Sequence, residues 1–113
     1  MRAEQIAPVF FALGEPTRLV IVRRLQSRGE LSATALASGA SVTRQAISKH
    51  LQVMQDAGLV SAERRGREVF YSLEPERLDQ ARGYLDDVSA GWDRALDRLR
   101  AMVEAPRGAK GRR

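Results

Sequence analysis

Apolar positions recur at helical spacing over residues 4–13, where Ile6, Val9, Phe10 and Leu13 line one face and Gly14 offers a stop. A second helix is predicted from Glu15-Pro16-Thr17, because proline suits a first helical turn; it carries Leu19, Val20, Val22 and Leu25 and stops near Gly29. Ser32 is an N-cap for a short helix, Ala33 to Ala37, closed by Ser38-Gly39. Thr43 caps the next, Arg44 to Ala57, in which Ile47, Leu51 and Met54 fall at i, i+4, i+7 with Val53 beside them, and Gly58 ends it. The period then changes. Leu59 to Arg65 and Arg67 to Leu73 read as two strands around Gly66, the second alternating Val69, Tyr71 and Leu73 with Glu68, Phe70 and Ser72. Glu74-Pro75 opens a last helix to about Glu104.

That helix repeats with period seven. Leu78, Leu85, Trp92 and Leu99 are each followed after three residues by Ala81, Val88, Ala95 and Met102, while Leu96 and Val103 widen the stripe. About 31 residues at 1.5 Å rise span about 46 Å, against a radius of gyration near 13 Å for a domain of this size. Part of the helix is therefore expected to extend beyond its own core. The expectation is a homodimer seam formed by residues 75–104 with residues 4–13, in which Phe10, Phe11, Leu78, Leu85, Val88, Trp92, Leu96 and Leu99 are the interface candidates. The alternative is a helix packed wholly on its own domain. Gly83 and Gly91 cost about 1 kcal/mol each inside a helix and mark either a close approach or a bend.

The predicted order α-α-α-α-β-β-α is mainly helical with a β-hairpin wing: a winged helix-turn-helix over residues 1–104. In such a unit the second helix can project into a DNA major groove. With Ile47, Leu51 and Met54 turned to the core, Arg44, Gln45, Ser48 and Lys49 occupy the outer face of the N-terminal half of their helix. Arg and Lys suit guanine O6 and N7, Gln suits adenine N6 and N7, and Ser suits either. Thr43 and the helix N-terminus offer hydroxyl and N–H groups to a phosphate. Arg64, Arg65 and Arg67 surround the hairpin glycine and can straddle phosphates. A solvated helix face and a charged edge strand would show the same residue types. A winged-helix module that binds a protein partner, without specific DNA readout, is thus the alternative function.

Composition narrows the classes. The chain has 113 residues, a net charge of +5, 43% apolar residues and no cysteine. Disulfides, thiolate metal sites and thiol nucleophiles are thereby excluded. No phosphate-binding glycine loop and no Ser/His/Asp order is present, so an enzyme is not expected. No apolar run approaches the roughly 18–20 residues of a membrane span, and no signal h-region opens the chain, so a cytoplasmic protein without membrane partners is expected. The charge is unevenly spread. Residues 105–113 carry +4, and the Pro- and Gly-containing segment Ala105-Pro106-Arg107-Gly108-Ala109-Lys110-Gly111-Arg112-Arg113 reads as a disordered basic tail. The body retains only +1, so net charge alone does not point to nucleic acid.

Four pieces in order are more specific. They are Phe11-Ala12-Leu13-Gly14-Glu15-Pro16-Thr17-Arg18, Arg44-Gln45-Ala46-Ile47-Ser48-Lys49-His50-Leu51, Ala57-Gly58-Leu59-Val60 and Gly66-Arg67-Glu68-Val69-Phe70-Tyr71-Ser72-Leu73. Together they resemble the arsenic-repressor-like (ArsR/SmtB) winged-helix family over about residues 5–100. The resemblance implies a dimeric bacterial repressor of an inverted-repeat operator, with double-stranded DNA as partner. It places His50, the sole histidine, in the recognition helix with a structural or phosphate-contact role, so His50 joins the DNA-contact candidates. Many relatives sense metal through cysteines in the third helix or Asp/His/Glu sets in the last. Here the first stretch reads Leu31-Ser32-Ala33-Thr34-Ala35-Leu36, and the last helix offers Asp79, Asp86, Asp87, Asp93 and Asp97 without histidine. Carboxylates alone suit zinc, copper or nickel poorly, and Asp93 and Asp97 are placed to pair with Arg94, Arg98 or Arg100. No metal or other cofactor is expected, and the inducer is open.

Overall fold

The structure is a computed structural model that describes residues 2–104; the basic tail lies outside the described residues. One compact unit runs to Ala81 and a second begins at Arg82. The elements are α1 (Ala3–Leu13), α2 (Pro16–Arg28), β1 (Leu31–Ser32), α3 (Ala33–Ala37), α4 (Arg44–Asp56), β2 (Val60–Arg65), β3 (Glu68–Leu73) and α5 (Pro75–Glu104). The fold is mainly helical with a β-hairpin wing. The two-residue strand β1 is an addition to the expected order. It pairs antiparallel with β3, Leu31 opposite Tyr71 and Ser32 opposite Phe70, giving a sheet of order β1-β3-β2.

The helix starts follow local hydrogen-bond chemistry. The Glu15 carboxylate accepts from the Arg18 N–H at 2.9 Å, Ser32 Oγ from the Ala35 N–H at 3.0 Å and Thr43 Oγ1 from the Ala46 N–H at 3.1 Å. Each satisfies an orphan donor of a first turn, and a cap of this kind contributes about 0.5–2 kcal/mol. After α4, the chain reverses at Gly58 with φ +78°, and the wing turns at Gly66 with φ +64°. Only glycine takes these left-handed conformations without steric penalty.

The apolar stripe of α4 meets the other helices in one core. Ile6, Val9 and Ala12 of α1, Ile21 and Leu25 of α2, Leu36 of α3 and Ile47, Leu51 and Met54 of α4 are buried there with Leu59, Val60 and Ala81. Leu78 and Phe10 pack against this cluster. Part of the apolar area expected at a dimer seam is therefore committed to the domain's own core at these two half-buried positions. A seven-residue repeat records which positions share a face, not what covers it. No Cβ at Gly83 would meet an atom within 4 Å, and at Gly91 the nearest is the Arg94 guanidinium at 3.7 Å. Neither glycine therefore serves a close approach within the described chain.

Candidate nucleic-acid interface

The core contacts of α4 decide what its other side presents. Ile47 and Leu51 point inward, and Thr43, Arg44, Gln45, Ser48 and Lys49 are all exposed at the N-terminal half of the helix. A guanidinium, an amide, a hydroxyl and an ammonium thus share one solvent-facing surface on a rigid element. Its cap Thr43 leaves the N–H groups of the first turn at the same end.

The wing is less uniform than its sequence suggests. Arg64 and Arg67 are exposed and make no ion pair among the described residues. Arg65, expected beside them at a phosphate, is committed elsewhere. Its guanidinium donates to both oxygens of Glu30 at 2.5 and 2.9 Å and to Glu63 at 2.8 Å, and it lies 4.9 Å over the Phe70 ring. These bonds hold Arg65 above the ordinary arginine range, with the Glu30 carboxylate the first cause. Arg65 therefore fastens the wing to the loop after α2, so of the three wing arginines it is the one already engaged by carboxylates.

His50 is also turned inward. Its Nδ1 lies 3.1 Å from the Arg18 guanidinium and 3.9 Å from the Glu15 carboxylate. That contact links α4 to the start of α2. Arg18 and Glu15 were not among the candidate residues, although one signal was available. Arg18 falls on the buried stripe of α2 with Ile21 and Leu25, where an unpaired charge is not tolerated. Arg24 of α2 reaches similarly to the Leu36 and Ala35 carbonyls at 2.7 and 3.0 Å and closes the end of α3.

Two carboxylates titrate with these contacts. The Arg18 backbone N–H holds Glu15 below the usual carboxylate range, and the Arg65 hydrogen bond does the same for Glu30. A carboxyl depressed in the folded state stabilises above its unfolded pKa and loses that contribution as pH falls through its folded value. Thermal melts of Glu30→Gln and the unaltered protein are expected to differ at neutral pH and to converge as the pH falls through and below the ordinary carboxylate range. A difference that persists undiminished in acid would contradict the pairing.

Along α5, Leu85, Val88, Trp92, Leu96 and Leu99 are exposed, with Trp92 64% accessible, and Phe11 on α1 is 69% exposed. Soluble domains seldom leave so continuous an apolar stripe uncovered. In the same helix, Asp97 lies 3.9 Å from Arg100, both well solvated. Among the described residues no group of three His, Cys, Asp or Glu side chains is arranged to hold a metal ion. No single described helix is long and apolar enough to cross a membrane.

Known proteins resemble this chain in sequence and in fold. Residues 13–61 match the helix-turn-helix domain family. The chain is 43% identical over 92 residues to the uncharacterized HTH-type transcriptional regulator YuzN of Bacillus subtilis, covering 74% of this chain and 90% of that one. The structure of an ArsR-like transcriptional regulator from a Rhodococcus species superposes with a TM-score of 0.75 at 37% identity, over 89% of this chain and 93% of that one. The chain belongs to the ArsR family of helix-turn-helix transcriptional regulators.

This ArsR-family member is thus a DNA-binding type of regulator and not an enzyme. It is 30% identical over 95 residues to the arsenical resistance operon repressor of Escherichia coli, covering 84% of this chain and 79% of that one. A homodimeric winged helix-turn-helix DNA-binding domain from Mycobacterium bovis, described as a possible ArsR-family regulator, superposes with a TM-score of 0.63 at 29% identity, over 78% of this chain and 80% of that one. Against that background, the wing, the turned-out face of α4 and the uncovered stripe of α5 are the three surfaces with functional potential.

Proposed function

We propose that this ArsR-family protein is a homodimer that binds an inverted-repeat operator and represses transcription without responding to metal. The carrying observation is the exposed face of α4, where Arg44, Gln45, Ser48 and Lys49 lie opposite the buried Ile47, Leu51 and Met54. These four side chains read base edges, Thr43 and the helix N-terminus position phosphates, and Arg64 and Arg67 of the wing contact the flanking backbone. Two copies joined through the apolar face of α5 and through α1, which exposes Phe11, would set their α4 helices one DNA turn apart, about 34–36 Å. The homodimeric Mycobacterium bovis neighbour supports that assembly.

The test is operator binding after selection of a DNA duplex from a random-sequence library. Arg44→Ala and Lys49→Ala are each expected to weaken operator binding by about 1–3 kcal/mol while dimer mass and helicity stay unchanged. Both side chains are exposed, so the fold does not depend on them. Arg67→Ala is expected to reduce binding evenly across sequences and to lower the log–log salt slope by about 0.9. Unaltered affinity in both α4 variants would remove the reading-head assignment. Failure of the unaltered protein to prefer any duplex over competitor DNA would favour a protein-binding winged helix.

A further inference from the structure

Arg18 is the only buried charged residue among those described, 8% exposed, and it sits where α1 ends and α2 begins. Its guanidinium has three separate tasks. Nε donates to the Ala12 carbonyl at 2.7 Å, Nη2 to the Phe11 carbonyl at 3.3 Å, and Nη1 points to His50 Nδ1 at 3.1 Å. The Ala12 carbonyl is one of the terminal carbonyls of α1 that lack a partner inside the helix, while the Phe11 carbonyl also accepts from the Gly14 N–H at 3.2 Å. The third is a side chain of α4. A guanidinium has donors only, so Nδ1 must accept and the ring proton must sit on Nε2. Glu15, which caps α2 through the Arg18 N–H and lies 3.9 Å from the same ring, supplies a countercharge to the Arg18 guanidinium.

Apolar packing through Ile47, Leu51 and Met54 is strong and non-directional, so it alone tolerates small rotations or slides of α4. Base contacts do not tolerate them, because a functional constellation must be held within about 0.5 Å and 10–20°. The Arg18–His50 hydrogen bond adds what the core lacks: a directional, charge-assisted link between the recognition helix and the end of α1. We infer that Arg18 is a positioning residue for operator discrimination, acting through His50 to fix the setting of α4. This inference rests on the proposed DNA reading by α4. Arg18 itself does not touch DNA, since it is enclosed by α1, α2 and α4.

Variants at both ends of the bond test it, using the duplex recovered by library selection and poly(dI-dC) as nonspecific competitor. Arg18→Lys keeps the charge but loses the three-way fork; His50→Leu removes the acceptor. Each is expected to lower the ratio of operator to nonspecific affinity about tenfold, a loss typical of one charge-assisted bond. The double variant is expected to lose no more than either alone, as members of one interaction do. Nonspecific affinity should be unchanged in Arg18→Lys, because no charge is lost. In His50→Asn, an amide oxygen near the former Nδ1 position is expected to recover most of the ratio, which a general loss of packing would not allow.

A folded Arg18→Lys dimer with the unaltered ratio would overturn the inference, as would additive effects of the two single variants. If Arg18→Lys fails to fold, the contrast between His50→Leu and His50→Asn decides: equal ratios overturn the inference and recovery in His50→Asn supports it. A wild-type protein that discriminates normally while every variant does too contradicts the positioning role alone. A wild-type protein that discriminates nothing overturns the DNA reading and this inference with it.

Discussion

Replacing Trp92 by Asp is expected to yield a monomer whose operator affinity is lower by about 100-fold or more. Trp92 lies in the middle of the uncovered α5 stripe, 64% exposed, with Leu85, Val88, Leu96 and Leu99 on either side along the helix. Large aromatic side chains near the centre of an interface commonly cost 2 kcal/mol or more when removed, and a carboxylate adds the penalty of burying an unpaired charge. Loss of the dimer then removes the second half-site contact. Coupled binding of two modules exceeds a single one by about 10²–10⁴ in affinity, which sets the size of the effect. Because Trp92 is exposed in the single chain, helicity should change little. Sedimentation velocity and operator titration together check the result; a dimer of unchanged mass would contradict the proposed seam.

The second large effect is on folding. Leu51→Ala is expected to destabilise the domain by about 2–5 kcal/mol, the usual cost of a buried leucine truncated to alanine. Leu51 is 0% exposed and lies in the cluster shared by α1, α2, α3 and α4. With total stability of about 5–15 kcal/mol for a native domain, this single change removes a large fraction of it. The midpoint of thermal unfolding should fall by about 10 °C or more. Arg44→Ala, on the opposite side of the same helix, is expected to move it by no more than the effect of about 0.5 kcal/mol. The pair of melts therefore separates the structural face of α4 from its proposed reading face. A loss below about 1 kcal/mol for Leu51→Ala would mean that the cavity collapses without cost.

Much of this architecture was legible from local pattern. Helix bounds came within a residue or two because Pro16, Ser32, Thr43 and Pro75 announce starts through their own backbone chemistry, and Gly58 and Gly66 supply the left-handed turns. The exposed face of α4 followed from the same reasoning in reverse. Once Ile47, Leu51 and Met54 are assigned inward, the 3.6-residue period assigns Arg44, Gln45, Ser48 and Lys49 outward. β1 could not be read this way, since two residues carry no period and the strand exists only through its pairing with β3.

The site was legible only where a residue acts through its own exposure. Arg64, Arg65 and Arg67 are equivalent in sequence, yet Arg65 is taken by Glu30, which lies 35 residues away. His50 and Arg18 are 32 residues apart, and neither residue's neighbours in sequence indicate the bond. Leu78 and Leu85 occupy the same position of the seven-residue repeat, but Leu78 packs on the core and Leu85 is 52% exposed.

Periodicity and capping are properties of contiguous residues, and they suffice to define five helices, a hairpin and the two faces of α4. Which arginine is free for a ligand, which apolar residue is spent on the core, and why a charge is buried at position 18 are properties of residue pairs far apart in the chain. Those pairs form only when folding brings them within hydrogen-bond or van der Waals range, and no local pattern encodes that distance.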